Sequence, residues 1–323
     1  MGNALRFKTF LFGAILLVFI SCSKDETPDE AFYSQNDARR QIVQVVATSM
    51  ATGFNSLFAD VYTDSLARAG FCRDFTHSAL YMDDESGDVF VESLSGYSIA
   101  NPFHPEYEGL PSLENTDADG KKIVVEMIDI VTNTGYGFLE YNFANPASGL
   151  VEKKTAFVTL IAAADWYAGS GYYHTGDFPL LTDFDLNKMV VKEAVTAFAK
   201  GLGAIYETHV TDSMQGVELM RTMLKHIRFF DNRSGYFYVI DFRGYNVVQP
   251  PDPSIQGTYE WDIQDLRGNY LVRGLVETAQ NGGGYYSYYW MDYTAQQEKL
   301  KTAYVEQIPG MDYLIGSGIY GAE

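Results

Sequence analysis

Residues 154–173 recur 147 positions later as residues 301–320. Ten of the twenty aligned positions are identical, whereas chance between segments of ordinary composition gives about one or two. A shift of 148 aligns further glycines, prolines and an aspartate of residues 96–120 with those of residues 244–268. The chain therefore contains an internal duplication, and we expect both copies to adopt the same fold.

Each copy has the same predicted order of elements: helix, strand, strand, helix, strand, strand, strand. In the second copy, a helical periodicity over residues 190–230 is interrupted near Asp212, and prolines at 250–253 make an irregular loop. The other predicted elements of that copy are strands at 236–241, 246–249, 285–290, 299–308 and 313–319 and a helix at 269–280. In the first copy we expect one long helix over residues 36–68, and residues 174–183 link the copies.

This order predicts an α+β fold of two PAS-like modules. Each module is expected to be an antiparallel five-stranded sheet preceded by a long helix, with helices on one sheet face and long loops over the other. Such an arrangement leaves a concave pocket under the loops. We define module 1 as residues 37–176 and module 2 as residues 183–321.

Seven segments of the second copy carry a family resemblance in their order and spacing. They are residues 228–230, 235–241, 250–257, 265–268, 284–290, 301–305 and 316–320. Together they resemble a Cache domain, the extracytoplasmic small-ligand sensor module of bacterial chemoreceptors and histidine kinases. Module 1 is similar mainly through the internal repeat, so the whole chain resembles a double Cache protein. The resemblance implies a small carboxylate or an amino acid as the ligand.

Two basic residues in each module are candidate contacts for such a ligand. Arg228 lies at the end of the predicted helix of module 2, before the first strand, and Arg73 has the corresponding place in module 1. A guanidinium there can clamp a carboxylate with two hydrogen bonds, or it can instead satisfy helix carbonyls. Lys301 and Lys154 begin an otherwise apolar strand. The resemblance makes each a second anion contact, and a solvated lysine at the strand end is the alternative.

The remaining candidates are acids, amides and aromatic residues. Asp265 and Asp117 each precede a glycine by three residues, where an acid either holds a ligand ammonium or caps the short helix. Gln249 and Asn101 precede proline where the Cache family often has histidine, so the pocket would carry an amide that cannot titrate. Alternate aromatic residues share one sheet face, and we expect most in the core and a few in the pocket. These are Tyr236, Tyr238, Tyr288 and Trp290 in module 2 and Tyr141 in module 1.

The N-terminus predicts export. Arg6 and Lys8 precede an apolar run over residues 10–20, which is about half the ~20 residues that a membrane-spanning helix needs. Ser21-Cys22 resembles the lipobox of bacterial lipoproteins. We therefore expect residues 1–21 to be a signal peptide, Cys22 to be lipidated and residues 22–36 to be a tether, with an N-terminal transmembrane anchor as the alternative. The expected location is the extracytoplasmic cell envelope, at either membrane.

Charge and cysteine content limit the partners. The formal net charge is −19, and residues 1–21 hold two basic and no acidic residues, so their removal leaves −21. Such a surface repels nucleic acid. Cys72 is then the one unmodified cysteine and is not expected in an intrachain disulfide. No later apolar stretch approaches 18 residues and no transmitter module follows, so we expect the signal to pass to a separate transmembrane transmitter protein.

Other functional classes find little support in the sequence. The histidines form no H-x-x-x-H pair and no G-x-S-x-G motif occurs, so no enzymatic activity is predicted. No metal or cofactor is predicted either: residues 115–126 fit a calcium loop except at its first position, but prolines replace the entering helix. Residues 83–88 are predicted to be a solvated acidic loop. A surface glycan-binding or adhesive lipoprotein is the alternative function, and it requires an exposed row of aromatic rings.

Overall fold

The structure is a computed structural model that describes residues 31–145 and 148–321. The predicted signal peptide, Cys22 and most of the predicted tether lie outside the described residues. The last tether residues, however, are part of the fold: strand β1 pairs antiparallel with strand β7, and helix α1 begins directly after it. The bounds are β1 Phe32–Tyr33, α1 Gln35–Asp60 and β7 Leu181–Thr182.

The elements follow the duplicated order that the sequence predicts. Module 1 continues with α2 Ser65–Ser78, β2 Phe90–Ser93, β3 Ser98–Ala100, α3 Ile123–Thr134, β4 Tyr136–Ala144, β5 Val151–Ile161 and β6 Trp166–Tyr173. Module 2 contains α4 Asp183–His209, α5 Ser213–Leu224, β8 Tyr238–Asp241, β9 Asn246–Val248, α6 Leu271–Gln280, β10 Gly284–Asp292, β11 Gln297–Gln307 and β12 Tyr313–Tyr320. One-turn 3-10 helices occupy Pro105–Tyr107, Ala162–Ala164 and Pro253–Ile255.

Capping side chains set the helix boundaries. Ser34 and Asp37 form a reciprocal capping box at the start of α1. Asp212 caps α5 by accepting from the Gln215 N–H at 2.9 Å, which explains the interruption between α4 and α5. The prediction of one long helix over residues 36–68 is wrong, because the chain leaves α1 after Asp60. Asp64 then starts α2 by accepting from the Ala67 N–H.

The predicted α+β class with two antiparallel five-stranded sheets is confirmed. The strand order is β3-β2-β6-β5-β4 in module 1 and β9-β8-β12-β11-β10 in module 2, so the two sheets have the same topology. Helix α1 packs against β5 and β6, and α4 packs against β11 and β12. Each long helix therefore covers the same face of its own sheet.

The helices of the two modules also pack against one another. Helix α1 contacts α4 and α5, and α2 contacts α4, so one apolar cluster runs through the helices of both modules. Glycines permit this approach: a Cβ at Gly201 would lie 2.5 Å from the ring of Phe75, and one at Gly53 would lie 2.9 Å from the Met223 side chain. By length and composition α1 passes as a membrane span, but 72% of its apolar window is buried in the protein, as in a core helix.

Candidate functional site

The sheet face opposite the long helices forms the candidate site in each module. Helix α3 covers part of this face against β4 and β5, and α6 does the same against β10 and β11. Because strand residues alternate between faces, Ala156 and Val158 pack toward α3 while Phe157 packs toward α1. Lys154 has the parity of Ala156 and lines a cavity on the α3 side. Lys301 lines the equivalent cavity in module 2.

In both modules the central lysine lies between two tyrosines on neighbouring strands. The register pairs each lysine with a tyrosine on the strand before it and another on the strand after it. The two triads are Tyr141, Lys154 and Tyr173 in module 1 and Tyr288, Lys301 and Tyr320 in module 2. All three positions are identical between the copies, so the repeat preserves this part of the site.

The repeated Gly-Ser-Gly segment of the last strand makes room for these side chains. A Cβ at Gly171 would lie 2.7 Å from the Lys154 Cε, and a Cβ at Gly318 would lie 2.9 Å from the Lys301 Cε. The glycine two residues earlier lies under an aromatic ring, as Gly316 does under Tyr238. The glycines of this motif therefore leave the space that the lysine and the ring occupy, since a side chain at these positions would displace them.

The module-2 cavity is narrow, with a volume of about 20 Å³. Six of the eight predicted residues of this module line it: Tyr236, Tyr238, Gln249, Tyr288, Trp290 and Lys301. Lys301 is 1% exposed, and its Nζ donates to the Tyr236 hydroxyl at 3.0 Å. The ammonium also lies 4.2 Å from the centre of the Tyr236 ring. Among residues 31–145 and 148–321, Lys301 has no carboxylate within salt-bridge distance.

Polar side chains surround this lysine. Gln249 Nε2 lies 3.5 Å from the Tyr236 hydroxyl, and Asn246 Nδ2 donates to Glu260 at 3.1 Å. Asn246 Oδ1 is buried without a hydrogen-bond partner among the described residues. Burial raises the pKa of Tyr238 and Tyr288, so both hydroxyls stay protonated and able to donate. The cavity thus offers a cation, hydroxyls, amides and one buried acid, Glu260, to a small polar group. No separate sequence signal pointed to Asn246 and Glu260.

Arg228 and Asp265, the other two predicted residues of module 2, do not line this cavity. Arg228 Nη1 donates to the Ile227 carbonyl at 2.6 Å, so the geometry favours the helix-end alternative over ligand contact. Asp265 Oδ1 accepts from the backbone N–H groups of Arg267 and Asn269, both at 2.9 Å. Burial alone would raise the pKa of Asp265, but these hydrogen bonds hold it below its ordinary value. Its carboxylate therefore organises a turn.

The module-1 cavity is much larger, about 510 Å³, and lies in the range of small-molecule sites. Of the predicted residues Asn101, Tyr141 and Lys154 line it. Lys154 is 9% exposed, and its Nζ lies 5.2 Å from the centre of the Tyr173 ring. It has no carboxylate within salt-bridge distance in the described part of the chain.

Arg73 and Asp117 of module 1 do not line the cavity either. The structural counterpart of Arg73 is Arg221, whose Nε donates to the Val247 carbonyl at 2.9 Å, rather than Arg228 as predicted. Arg73 donates through Nε to the Ile99 carbonyl at 2.8 Å and pairs with Glu108 at 3.0 Å. Asp117 Oδ1 accepts from the Lys121 N–H at 2.8 Å, and this bond is the main cause of its lowered pKa. Both side chains therefore stabilise local structure.

Two buried acids line the module-1 cavity that the sequence did not single out as ligand residues. Asp88 is 3% exposed, so the prediction of a solvated loop over residues 83–88 is wrong at this position, although residues 83–85 are exposed. Glu92 is 7% exposed and accepts from Ser112 Oγ at 2.5 Å. Burial raises the pKa of Asp88 and raises that of Glu92 to about 7. The shift of 148 aligns Asp88 with Tyr236, so the repeat itself carried a signal for this position.

Comparison with known proteins places both modules in one family. The model "Single Cache domain 2" matches residues 187–323, and the model "Cache domain" matches residues 73–176. A curated relative, the sensor histidine kinase MctS of Rhizobium johnstonii, is 27% identical over 142 residues. That match covers 42% of this chain and 30% of the kinase, so the chain spans under a third of that relative's length.

Solved structures give weaker likenesses. A methyl-accepting chemotaxis protein from Vibrio parahaemolyticus is 26% identical, with 42% of this chain and 89% of that chain covered and a TM-score of 0.38. A Cache chemosensory domain solved for its carboxylic acid recognition is 24% identical, with coverage of 43% and 93% and the same TM-score of 0.38. The family matches to both halves, together with the duplicated sheet topology, show that this chain belongs to the Cache family and carries two Cache domains in tandem.

Proposed function

We propose that this protein is an extracytoplasmic, membrane-anchored sensor whose module 2 binds a small organic anion or amino acid through Lys301. Cache domains are small-ligand sensor modules, and that general role belongs to this chain through its family. The single observation that supports the anion is Lys301: a buried ammonium without an anionic partner in the described residues.

The buried ammonium of Lys301 lacks a countercharge among the described residues. A buried charge costs several kcal/mol unless it is paired and hydrogen-bonded. Here the compensation consists of one tyrosine hydroxyl and the faces of Tyr236, Tyr238 and Tyr320, with Nζ at 4.2, 5.2 and 5.2 Å from their centres. Contacts with ring faces contribute about 2 kcal/mol each at most when desolvated. A ligand carboxylate would supply the missing countercharge and accept from the neighbouring hydroxyls.

Binding requires a local rearrangement. A volume of about 20 Å³ holds little more than one water molecule. The loop that contains the 3-10 turn Pro253–Ile255 begins at Gln249 and ends near Glu260, and both of these residues line the cavity. We propose that this loop moves outward to admit the ligand, which would couple occupancy to a change at the protein surface.

The test is a calorimetric and thermal-shift screen of organic acids and amino acids, with oligosaccharides as a separate arm. For ligands found, Lys301→Met should weaken binding roughly 10- to 100-fold, because a charge-assisted bond is worth about 1.5–3 kcal/mol. Lys299→Met is the matched control: it removes a partly exposed lysine of the same strand, paired with Asp292 at 2.9 Å. Equal binding by native protein and Lys301→Met would refute the site.

Arg228→Ala distinguishes the two interpretations of Arg228. If the guanidinium clamps the ligand, affinity should fall about as far as in Lys301→Met. If it serves the helix end, as its bond to the Ile227 carbonyl favours, affinity should hold and only stability should fall.

We also propose how the protein is anchored to the membrane and how it passes on its signal. Cys22 is proposed to carry the lipid anchor, and a separate transmembrane protein is proposed to receive the signal. The alternative, glycan binding, needs an exposed row of rings, whereas Tyr236, Tyr238 and Tyr288 are buried. Oligosaccharide binding that persists in Lys301→Met would favour that alternative.

A further inference from the structure

The two cavities differ in size although their frames are the same. The module-1 cavity has about 510 Å³ and the module-2 cavity about 20 Å³. Between the copies, the lysine and its two tyrosines are unchanged, but Asp88 stands where module 2 has Tyr236. Glu92 likewise stands where module 2 has Ile240. Two of the differences thus lie just before and within β2, where one ring and one aliphatic side chain of module 2 are replaced by carboxylates.

Asp88 is the least satisfied polar group in this cavity. The side chain is 3% exposed, and Oδ1 has no hydrogen-bond partner among the described residues. Lys154 acts on it electrostatically but lies beyond salt-bridge distance. A buried carboxylate oxygen without a donor is costly, and a donor or a cation on a ligand would relieve that cost.

The rest of the lining also suits a positive group. The acidic residues in the lining are Asp88, Glu92 and Glu114, and the basic ones are Lys154 and His104. Aromatic side chains from the sheet and the covering loop form much of the wall, and ring faces attract ammonium groups. They are Phe90, Phe103, Tyr107, Tyr141, Phe143, Tyr167 and Tyr173. The net charge of −19 also draws cations toward the protein and opposes anions.

We infer that module 1 binds an organic ammonium ligand, with the ammonium held by Asp88 and the aromatic wall and with Glu92 as the second acid. Lys154 lies on the same face and can hold a carboxylate if the ligand has one. The two modules thus differ in their buried acids: module 1 places Asp88 and Glu92 in the cavity lining, whereas the lining acid of module 2, Glu260, accepts from Asn246. This inference does not rest on the Lys301 site, because the two cavities share no residues.

The test uses four probes of equal chain length on the full protein: n-butylamine, 1,4-diaminobutane, 4-aminobutyrate and n-butyrate. Isothermal titration and thermal shift are measured for the native protein, Asp88→Asn and the control Asp83→Asn. Asp83 belongs to the same acidic stretch, but its side chain is 91% exposed and pairs with Lys192. We expect the amine-bearing probes to bind the native protein and Asp83→Asn, and to bind Asp88→Asn roughly 10- to 100-fold more weakly.

Comparison within the series identifies which residue contacts the second charged group of the ligand. Tighter binding of 4-aminobutyrate than of n-butylamine means that Lys154 holds the carboxylate, and tighter binding of the diamine means a second ammonium near Glu92. Butyrate is also a candidate ligand of module 2. Butyrate binding that is lost in Lys301→Met is therefore assigned to module 2.

The thermal midpoint of Asp88→Asn without ligand shows whether the variant folds. Removal of an unpaired buried charge should leave the ligand-free thermal midpoint of Asp88→Asn equal to or above that of the native protein. Should that variant fail to fold, Glu92→Gln is measured with the same probes and should also weaken amine binding. The inference is overturned if no amine binds the native protein at millimolar concentration, or if amines bind the native protein and the folded variant equally.

Discussion

Replacement of Glu92 by glutamine should remove a pH dependence of stability that native Glu92 imposes. Burial raises the pKa of Glu92 from 4.5 to about 7, against the lowering effect of the Ser112 hydrogen bond. The folded state therefore holds this proton more tightly than the unfolded chain does. The free energy of unfolding should fall as pH rises from about 4.5 to about 7 and then stay level. At 1.36 kcal/mol per pKa unit, the fall is about 3 kcal/mol.

Urea unfolding followed by circular dichroism from pH 5 to pH 8.5 measures this effect. Glu92→Gln keeps an oxygen that can accept from Ser112, so the variant should match the native protein near pH 5 and exceed its stability above pH 7. All other ionisable side chains are the same in both proteins, so their contributions cancel in the difference. Glu114→Gln, a control at a side chain that is 86% exposed, should follow the native curve. Parallel curves for native protein and Glu92→Gln would refute the reasoning.

Two other predictions concern packing and anchoring. Gly201→Ala should cost about 1–3 kcal/mol, because its Cβ meets a phenylalanine ring of α2 at 2.5 Å. Gly70→Ala, within a helix and with no atom within 4 Å of the new Cβ, should instead stabilise by up to about 1 kcal/mol, and thermal unfolding compares the two. A rise in stability for Gly201→Ala would contradict the interhelix contact. Cys22→Ser should move the protein from the membrane to the soluble fraction of cell lysates, and continued membrane association would exclude the lipid anchor.

The sequence predicted the frame of the site because the repeat preserves it. Tyr288, Lys301 and Tyr320 have counterparts 147 positions earlier, and a strand pairing that serves both copies brings each set together. Alternation along the strands then identifies the pocket face without any tertiary information. The predicted tyrosines, Gln249 and Lys301 accordingly line one cavity.

Residue type and spacing could not assign Arg228 and Asp265. A guanidinium or a carboxylate beside a turn can satisfy local backbone groups as readily as a ligand, and only the path of the backbone decides between them. In this structure the Ile227 carbonyl and the turn N–H groups are within reach, so both side chains bond locally. Asp64, a residue type that favours the start of a helix, indicated the break between α1 and α2. The helical periodicity on both sides of Asp64 nevertheless led to the prediction of one continuous helix.

Duplication explains why the two modules can diverge in ligand chemistry without losing the fold. The elements that fix the architecture are the paired strands, the Gly-Ser-Gly segments and the helix core that both modules share. Asp88 precedes strand β2 and Glu92 lies within it, but the side chains of both line the cavity and take no part in the backbone pairing. A change there alters charge and volume while the register around Lys154 stays in place. Because α1 packs on α4 and α5, a rearrangement that follows binding in one module meets the helices of the other. On the two proposals above, occupancy of either cavity would act on the same helix core, which both modules share.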